Sequence, residues 1–305
     1  MKRLNQYNAI RLFVIAATLV FAASCDDGND RFGDWETESS TAENVNKNDA
    51  SVNENLARLE FPKVKGGSGN IIVTHSVDKY GITYSLEWDC NKKSQRWSCF
   101  QMHSGYPDNN VGRTVDTQQT GYPQDPDIPT EYRFSTDPFW GTGYDHGHIC
   151  ASEDRQYDKL ANTQTFYLSN MQPQRNVFNA GIWLDMERQL QQRWNRSGFR
   201  DVLYVVKGGT IDNASQTLGY TNTGLLIPKY FFMAILCKQN NKYKALAFLV
   251  EHKSVDQPRD LAQYVVSIDY LEQMTGIDFF CNLPDDIEKE VESASKSQIL
   301  KDWNL

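Results

Sequence analysis

The sequence lacks an excess of positive charge. Its 305 residues contain 31 Lys and Arg against 39 Asp and Glu, which gives a formal net charge of −8 at pH 7. A protein that binds nucleic acid through bulk positive charge needs the opposite sign. This class of protein is therefore excluded, and any chemistry on a phosphate backbone would need a local site and a metal ion.

Long hydrophobic runs are scarce, and the longest, Leu12–Phe21, has only ten residues. A run of this length is too short to span a bilayer stably. It follows a basic start, residues 1–11, and small residues lead from it to Cys25, which is the order of a signal peptide. The small residues before Cys25 resemble a bacterial lipobox. We therefore expect a lipoprotein-type signal peptide over residues 1–25, with a plain secretory signal as the alternative.

Both alternatives predict export. A lipidated Cys25 would hold the protein at a membrane of the cell envelope, and without the lipid the protein would be periplasmic or secreted. Residues 26–57 hold few apolar side chains, and residues 26–60 carry ten acids against three bases. Such a stretch buries too little surface to offset its ordering entropy. We therefore expect a flexible acidic tether over residues 26–57, followed by one domain over residues 58–305. The sequence indicates no protein partner.

Cysteine is present in an odd number once Cys25 is set aside. The five others allow at most two disulfides in an oxidising compartment. Cys90 and Cys99 flank a turn-like segment and could face each other across a hairpin, but the pairing stays open. The spacing does not resemble a zinc site. The five are Cys90, Cys99, Cys150, Cys237 and Cys281.

Apolar periodicity from about Leu59 onward predicts one α+β domain with a mixed or antiparallel sheet core and packed helices. Residues 104–143 are rich in Gly, Pro, Asp and Thr and predict a loop. The acids between Asp285 and Glu292 are expected on a solvated helix face. The predicted strands are Ile71–His75, Ile82–Trp88, Arg96–Met102, Val202–Val206, Tyr230–Cys237 and Tyr243–Val250, and the predicted helices are 179–196, Val265–Thr275 and Ile287–Ser293.

Three linked motifs carry the chemistry. They are Asp145-His146-Gly147-His148, then Ser169-Asn170 with Pro173-Gln174, then Asn179-x-Gly181-x-Trp183 with Glu187 four residues further on. In this order and spacing they resemble the DNA/RNA non-specific endonuclease family, the ββα-metal nucleases. The one departure is His146, where the family usually has arginine. A ring that is mostly neutral at pH 7 then replaces a permanent, fork-shaped cation.

The resemblance implies a role for each matching residue. His148 matches the general base, and Asn179 matches the magnesium ligand. Glu187 matches the acid near the metal and its waters, Asn170 a site asparagine, and Arg133 a phosphate-binding arginine. The implied activity is the Mg²⁺-dependent hydrolysis of DNA and RNA without sugar specificity, with Mn²⁺ as another possible metal. The implied fold contains a ββα-metal motif.

The residue types fit this chemistry without the family name. Phosphodiester hydrolysis needs a water to be deprotonated and needs positive charge at the phosphate oxygens and the leaving oxygen. A neutral His148 suits the first task. A hard cation held by few protein oxygens and many waters suits the second, and magnesium prefers that arrangement.

The helix over 179–196 supports the same site. At 100° per residue, with Asn179 at 0°, an apolar stripe lies within about 60° on either side, and Glu187 lies at about 80°. Asn179 and Glu187 are about 12 Å apart along the axis, so we expect Glu187 to act through a metal-bound water. The alternative is a buried asparagine cap with an ion-paired glutamate. The stripe comprises Ile182, Trp183, Met186, Leu190 and Trp194.

Two other interpretations are weaker. A non-catalytic nucleic-acid-binding lipoprotein that keeps the fold would explain why His146 replaces the family arginine. A zinc site built from His146, His148 and Cys150 is disfavoured, because their outer Cα atoms would lie about 13 Å apart on an extended strand.

Replacing Cys25 by alanine tests the lipobox. If the Cys25 thiol carries the lipid, Cys25→Ala should move the protein from the detergent-soluble membrane fraction into a soluble exported pool. Fractionation with immunoblotting measures this, and Cys90→Ala serves as the matched cysteine control. An unchanged membrane fraction for Cys25→Ala would contradict the lipobox.

Overall fold

The computed structural model of the chain describes residues 43–305. The predicted signal peptide, the Cys25 anchor and most of the predicted tether therefore lie outside the described residues. Across 43–305, we find no helix long and apolar enough to cross a membrane.

A seven-stranded sheet forms the centre of the domain. Its strand order is β1-β2-β3-β6-β9-β10-β11, and every neighbouring pair is antiparallel. Two small antiparallel pairs, β4-β5 and β7-β8, lie outside it. The strands are β1 Asn70–Val77, β2 Gly81–Asp89, β3 Ser94–His103, β4 Asp145–His148, β5 Met171–Gln174, β6 Val202–Gly209, β7 Thr217–Tyr220, β8 Leu226–Pro228, β9 Tyr230–Gln239, β10 Lys242–Glu251 and β11 Val265–Val266.

One long helical segment, here called the site helix, runs through four consecutive stretches. They are Asn176–Phe178, Asn179–Trp183, Leu184–Gln189 and Leu190–Trp194, and the second and fourth are wider π-type turns. The backbone departs from helical angles at Gly181 (φ −103°, ψ −119°). Within residues 43–305 there are five shorter α-helices besides short 3₁₀ turns: Thr117–Thr120, Lys159–Gln164, Ile268–Thr275, Asp285–Glu292 and Lys296–Trp303.

The sheet separates two hydrophobic layers. Along β9, Met233 and Ile235 face one layer, and Phe232 and Ala234 face the other, as the alternation of a strand requires. The first layer holds the site helix, and the second holds helices Ile268–Thr275 and Asp285–Glu292. The predicted α+β architecture is confirmed, and it has three layers.

The predicted apolar stripe of the site helix is also confirmed. All five of its side chains are at most 1% exposed and pack in the first layer: Ile182, Trp183, Met186, Leu190 and Trp194.

The helix predicted over Val265–Thr275 starts three residues later. Val265 and Val266 pair with β10 as a short strand. Ser267 then caps the helix, because its side chain accepts a hydrogen bond from the Tyr270 amide. Lys296–Trp303, which the sequence analysis left unassigned, forms the last helix and buries Trp303.

The structure rules out the Cys90–Cys99 bridge. Both are free thiols, as are the other three described cysteines. Although β2 and β3 do form the predicted hairpin, Cys90 packs in the first hydrophobic layer and Cys99 in the second. The two side chains therefore lie on opposite faces of the sheet.

The packed domain begins before the expected boundary at residue 58. Asn44 donates hydrogen bonds to the carbonyls of Cys281 and Leu283. Asn48 is buried and donates from its side chain to the Pro62 carbonyl at 3.1 Å. Residues 43–57 are therefore attached to the C-terminal part of the domain, because their polar side chains satisfy buried backbone groups there.

Candidate active site

The three sequence motifs meet in one strand–strand–helix unit. β4 and β5 pair antiparallel, with Asp145 opposite Gln174 and His148 opposite Met171. The site helix starts directly after β5. Gly147 is required at its position, because a Cβ there would lie 2.3 Å from the Gln174 side chain.

His148 presents an uncommitted ring nitrogen. Its Nε2 is buried and has no hydrogen-bond partner among the described residues. The ring lies edge-on to Phe166, with centroids 5.2 Å apart. Burial, together with the charge of Arg113, lowers the pKa of His148 to about 3. The imidazole is therefore neutral at pH 7 and able to accept a proton.

Asn179 is oriented by Asp145. Its Nδ2 donates to Asp145 Oδ2 at 3.0 Å, and Asn176 donates to the same oxygen at the same distance. We find no described residue that donates to Asn179 Oδ1. Holding the amide nitrogen on Asp145 leaves this oxygen available for a ligand.

Glu187 is paired with a buried lysine. Its Oε1 accepts a hydrogen bond from Lys207 Nζ at 2.7 Å. Lys207 is fully buried on β6, and its Nζ lies 4.9 Å from the centre of the Trp183 ring. Burial raises the pKa of Glu187, and Lys207 opposes that rise. The ion-paired alternative of the sequence analysis is therefore present in the structure.

Lys207 was not identified from the sequence. The available signal was a charged residue directly after the apolar run Val202–Val206. A lysine inside a buried strand needs a partner, and Glu187 on the site helix provides it.

One cleft contains the site residues. It has two connected parts with volumes of about 460 and 270 Å³, and Arg113, His148 and Asn179 line both. Glu187 lines the smaller part. Trp140, which is 68% exposed, lines the larger. The cleft thus brings together the neutral imidazole of His148, the oxygen-bearing side chains of Asn179 and Glu187, and the positively charged guanidinium of Arg113.

Asn170 lies beneath the cleft and does not line it. It is fully buried, and its Oδ1 accepts from the Cys150 amide at 2.9 Å. Its Nδ2 donates to the carbonyls of Cys150 and Thr165, both at 2.8 Å. Asn170 therefore positions the chain that follows His148.

Arg133 lies away from the cleft. Its guanidinium donates to the Asp125 carbonyl at 2.7 Å and to Thr130 Oγ1 at 2.8 Å. It lines a small separate cavity. The arginine that lines the cleft is Arg113, which lies 4.4 Å from the Phe166 ring centre. Both arginines belong to the loop region 104–143, where no periodicity indicated which one would reach the site.

His146 is enclosed by aromatic rings. It stacks on Tyr122 at 3.7 Å and on Phe139 at 4.2 Å between ring centres. Its Nε2 lies 2.8 Å from Asp137 Oδ2. Cys150 is buried in the first hydrophobic layer instead, so these residues do not form the zinc site that the sequence analysis disfavoured.

The donor atoms of the cleft suit a hard divalent cation. Asn179 supplies an amide oxygen, and Glu187 has a second carboxylate oxygen beyond the one bound to Lys207. Oxygen ligands of this type are those that magnesium prefers.

A His/Asp/Asp group elsewhere in the fold also has ligand-like spacing. His75 Nε2 lies 3.1 Å from Asp125 Oδ2, and His75 Nδ1 lies 3.3 Å from Asp127 Oδ2. Both ring nitrogens thus face a carboxylate, and the group connects β1 to the loop that contains Asp125 and Asp127.

The chain matches the sequence model of the DNA/RNA non-specific endonuclease family over residues 70–286. It is 30% identical to Nuclease C1 of Cunninghamella echinulata var. echinulata over 179 residues, which are 57% of this chain and 71% of that protein. It is 27% identical to the mitochondrial Nuclease EXOG of Xenopus laevis over 216 residues, which are 67% of this chain but only 58% of that protein.

A solved structure has the same fold. A chain in the crystal structure of the EndoG/EndoGI complex aligns with a TM-score of 0.58 and 19% identity. The alignment covers 71% of this chain and 88% of that chain.

Stability should depend on pH through His148. Its pKa of about 3 in the folded protein lies below the ordinary value of 6.5, so the unfolded chain binds the proton first. The contribution of His148 to the free energy of unfolding should therefore fall as the pH drops from 6.5 towards 3. Urea titrations at several pH values measure the slope of the free energy against pH, and His148→Asn should remove this contribution from it. The slope that remains includes His103 and His252, whose pKa values burial lowers to about 4, and Glu272, whose pKa burial raises to about 7 and which acts in the opposite direction. Equal slopes for both proteins would contradict the neutral state of His148.

Proposed function

Because the chain belongs to the DNA/RNA non-specific endonuclease family, it is a nuclease, and we propose that it is exported and depends on magnesium. We further propose that it hydrolyses the phosphodiester bonds of both DNA and RNA. One observation carries the residue assignment: His148, which is neutral and whose Nε2 has no hydrogen-bond partner among the described residues, lines the same cleft as Asn179, Glu187 and Arg113.

His148 acts as the general base in this proposal. A base must be unprotonated at the working pH and must have a free lone pair near the reacting water. The neutral ring and the unpartnered Nε2 meet both conditions. The backbone carbonyl of His148 also accepts from Trp183 Nε1 at 3.4 Å, which attaches the base to the site helix.

Asn179 would hold the magnesium ion through Oδ1, and Glu187 would support it from the same cleft through a water molecule. When bound, the ion supplies positive charge for the phosphate oxygens and the leaving oxygen. Asp145 keeps the Asn179 amide in one orientation. Burial raises the pKa of Glu187, and the ion pair with Lys207 opposes that rise.

We assign the phosphate-binding role to Arg113 in place of Arg133. Its guanidinium packs on the Phe166 ring and donates from Nη2 to the Tyr122 hydroxyl at 3.5 Å, and its other N–H groups have no hydrogen-bond acceptor among the described residues. Planar guanidinium groups match phosphate oxygens well. A site built around the phosphate reads no base edges, so low sequence specificity is expected.

Trp140 offers a surface for a base. It is exposed at the rim of the cleft, and aromatic side chains bind single-stranded nucleic acid by stacking, with little base preference. This feature is consistent with a substrate range that includes both DNA and RNA.

The second candidate is a non-catalytic nucleic-acid-binding protein with the same fold. It is favoured by one observation only, the histidine at position 146, whose Nε2 is occupied by Asp137. Such a protein would bind nucleic acid in the presence of EDTA and would not cleave it when magnesium is added.

Single substitutions in the cleft test the catalytic assignment. His148→Ala should lower the cleavage rate by roughly 10²–10⁴-fold with nucleic-acid binding retained, because it removes only the base. Asn179→Ala should raise the magnesium concentration needed for half-maximal rate and nearly abolish cleavage. Plasmid DNA and total RNA, each with magnesium or with EDTA, are the substrates.

Asn176→Ala is the matched control for Asn179→Ala. Both asparagines donate to Asp145 Oδ2, but of the two only Asn179 lines the cleft. Asn176→Ala should keep near wild-type magnesium dependence. The assignment is wrong if His148→Ala keeps more than about a tenth of the activity, or if the two asparagine variants behave alike.

A pair of arginine variants tests the phosphate contact. Arg113→Ala should lower kcat/KM on the order of 10²-fold, because a cation that faces the developing charge is lost. Arg133→Ala should change it little, since that side chain is bound to the Asp125 carbonyl outside the cleft. Steady-state kinetics on a short oligonucleotide measure both. The opposite order would restore Arg133 as the phosphate-binding residue.

A further inference from the structure

A cluster of carboxylates lies on the face of the sheet opposite to the cleft. Oxygens of Asp269, Glu272 and Glu292 are all within 4.8 Å of one another. Asp269 and Glu272 belong to helix Ile268–Thr275, and Glu292 is the last residue of helix Asp285–Glu292. Both helices pack in the second hydrophobic layer, whereas the site helix packs in the first.

Glu292 is buried without a partner. Its side chain points into the cluster, the residue is only 6% exposed, and Oε1 has no hydrogen bond within residues 43–305. The sequence analysis expected the acids of this helix on a solvated face, and for Glu292 and Glu288 that expectation is wrong. A buried carboxylate oxygen without a partner is costly, so this carboxylate requires either a bound cation or a proton.

No basic side chain neutralises the cluster. In the described part of the chain, no ion pair involves Asp269, Glu272 or Glu292. Asp278 and Glu288 lie nearby and add further negative charge. Burial, together with this repulsion, raises the pKa of Glu292 to about 10. Burial is also the main cause that raises the pKa of Glu272 to about 7.

We propose that Asp269, Glu272 and Glu292 bind a calcium ion. Calcium accepts six to eight oxygen ligands in flexible geometry, whereas magnesium demands an octahedron and binds few carboxylates. The cluster offers three carboxylates from two helices, and that of Asp269 is exposed. This arrangement fits the flexible, oxygen-rich geometry of calcium. Glu272 donates no proton here but accepts one hydrogen bond, from the Phe279 amide at 2.7 Å, which orients its carboxylate.

The ion would join parts of the chain that are distant in sequence. It would connect the two helices directly. Asn46 of the N-terminal segment donates to Asp278 and to Glu288 beside the cluster, at 3.2 and 2.8 Å, so the same region also holds residues 43–48 in place. The role of the ion is therefore structural, and it is separate from the magnesium proposed for the cleft.

A proton is the competing explanation. A protonated Glu292 could donate a hydrogen bond to a neighbouring carboxylate, and no metal would then be required. The two explanations differ in their response to calcium and to Glu292→Gln, since a glutamine can donate a hydrogen bond but is a poor calcium ligand in place of a carboxylate.

Thermal melting of the full chain, without nucleic acid, separates the two. With calcium at saturation the wild-type Tm should rise on the order of 5 °C above its value in EDTA. Glu292→Gln should lose this rise. In EDTA it should melt near the wild-type temperature, because glutamine keeps the shape of the side chain and, like a protonated Glu292, can donate a hydrogen bond to a neighbouring carboxylate. A wild-type Tm that does not respond to calcium, or an equal rise in Glu292→Gln, would overturn the proposal.

Three further variants make the result specific. Glu290→Gln changes an exposed acid on the same helix and should keep the full rise. Asn179→Ala should also keep the full rise in Tm. If Asn179→Ala loses the rise, calcium acts at the cleft and the proposal is overturned. Asp269→Asn changes an exposed ligand, so folding is not at risk, and it should weaken calcium binding by at least about tenfold in isothermal titration. Unchanged affinity in Asp269→Asn would count against the site.

Discussion

The buried ion pair between Glu187 and Lys207 attaches the catalytic unit to the rest of the structure. Lys207 lies on β6, the middle strand of the seven, and Glu187 lies on the site helix. Removing one member of a buried pair costs about 3–5 kcal/mol, because the other charge is left uncompensated. The pair therefore stabilises the packing of the site helix on the sheet, together with the apolar stripe.

The two faces of the sheet carry different chemistry. On the first, the apolar stripe of the site helix packs on the sheet and leaves its polar edge to line the cleft. On the second, short helices pack through Leu271 and Val291 and bring a group of acids together. Because successive residues of each central strand point to opposite faces, both layers depend on the same strands, and a change in strand register would disturb both.

Much of the cleft could be anticipated from the sequence, and the limits are physical. Periodicity predicted the helix that carries Asn179 and Glu187, and the family resemblance implied that this helix and the motif of His148 form one strand–strand–helix unit. The motifs indicated that Asn170 lies near the site. Its hydrogen bonds to the Cys150 backbone show that it positions the chain that follows His148. Arg133 lies outside the cleft and Arg113 lines it, and a loop without periodicity does not reveal which side chain reaches the cleft.

By itself, the sequence determined six of the seven strands of the central sheet, the apolar stripe of the site helix and the linked motifs, since each depends on residues that are near one another along the chain. Only the tertiary structure decided which residues meet across long separations. It paired Lys207 with Glu187, brought Arg113 to His148, separated Cys90 from Cys99 and grouped Glu292 with Asp269. Such contacts depend on how layers pack and which face each residue takes, and burial then sets the pKa values and the charge balance that local patterns do not contain.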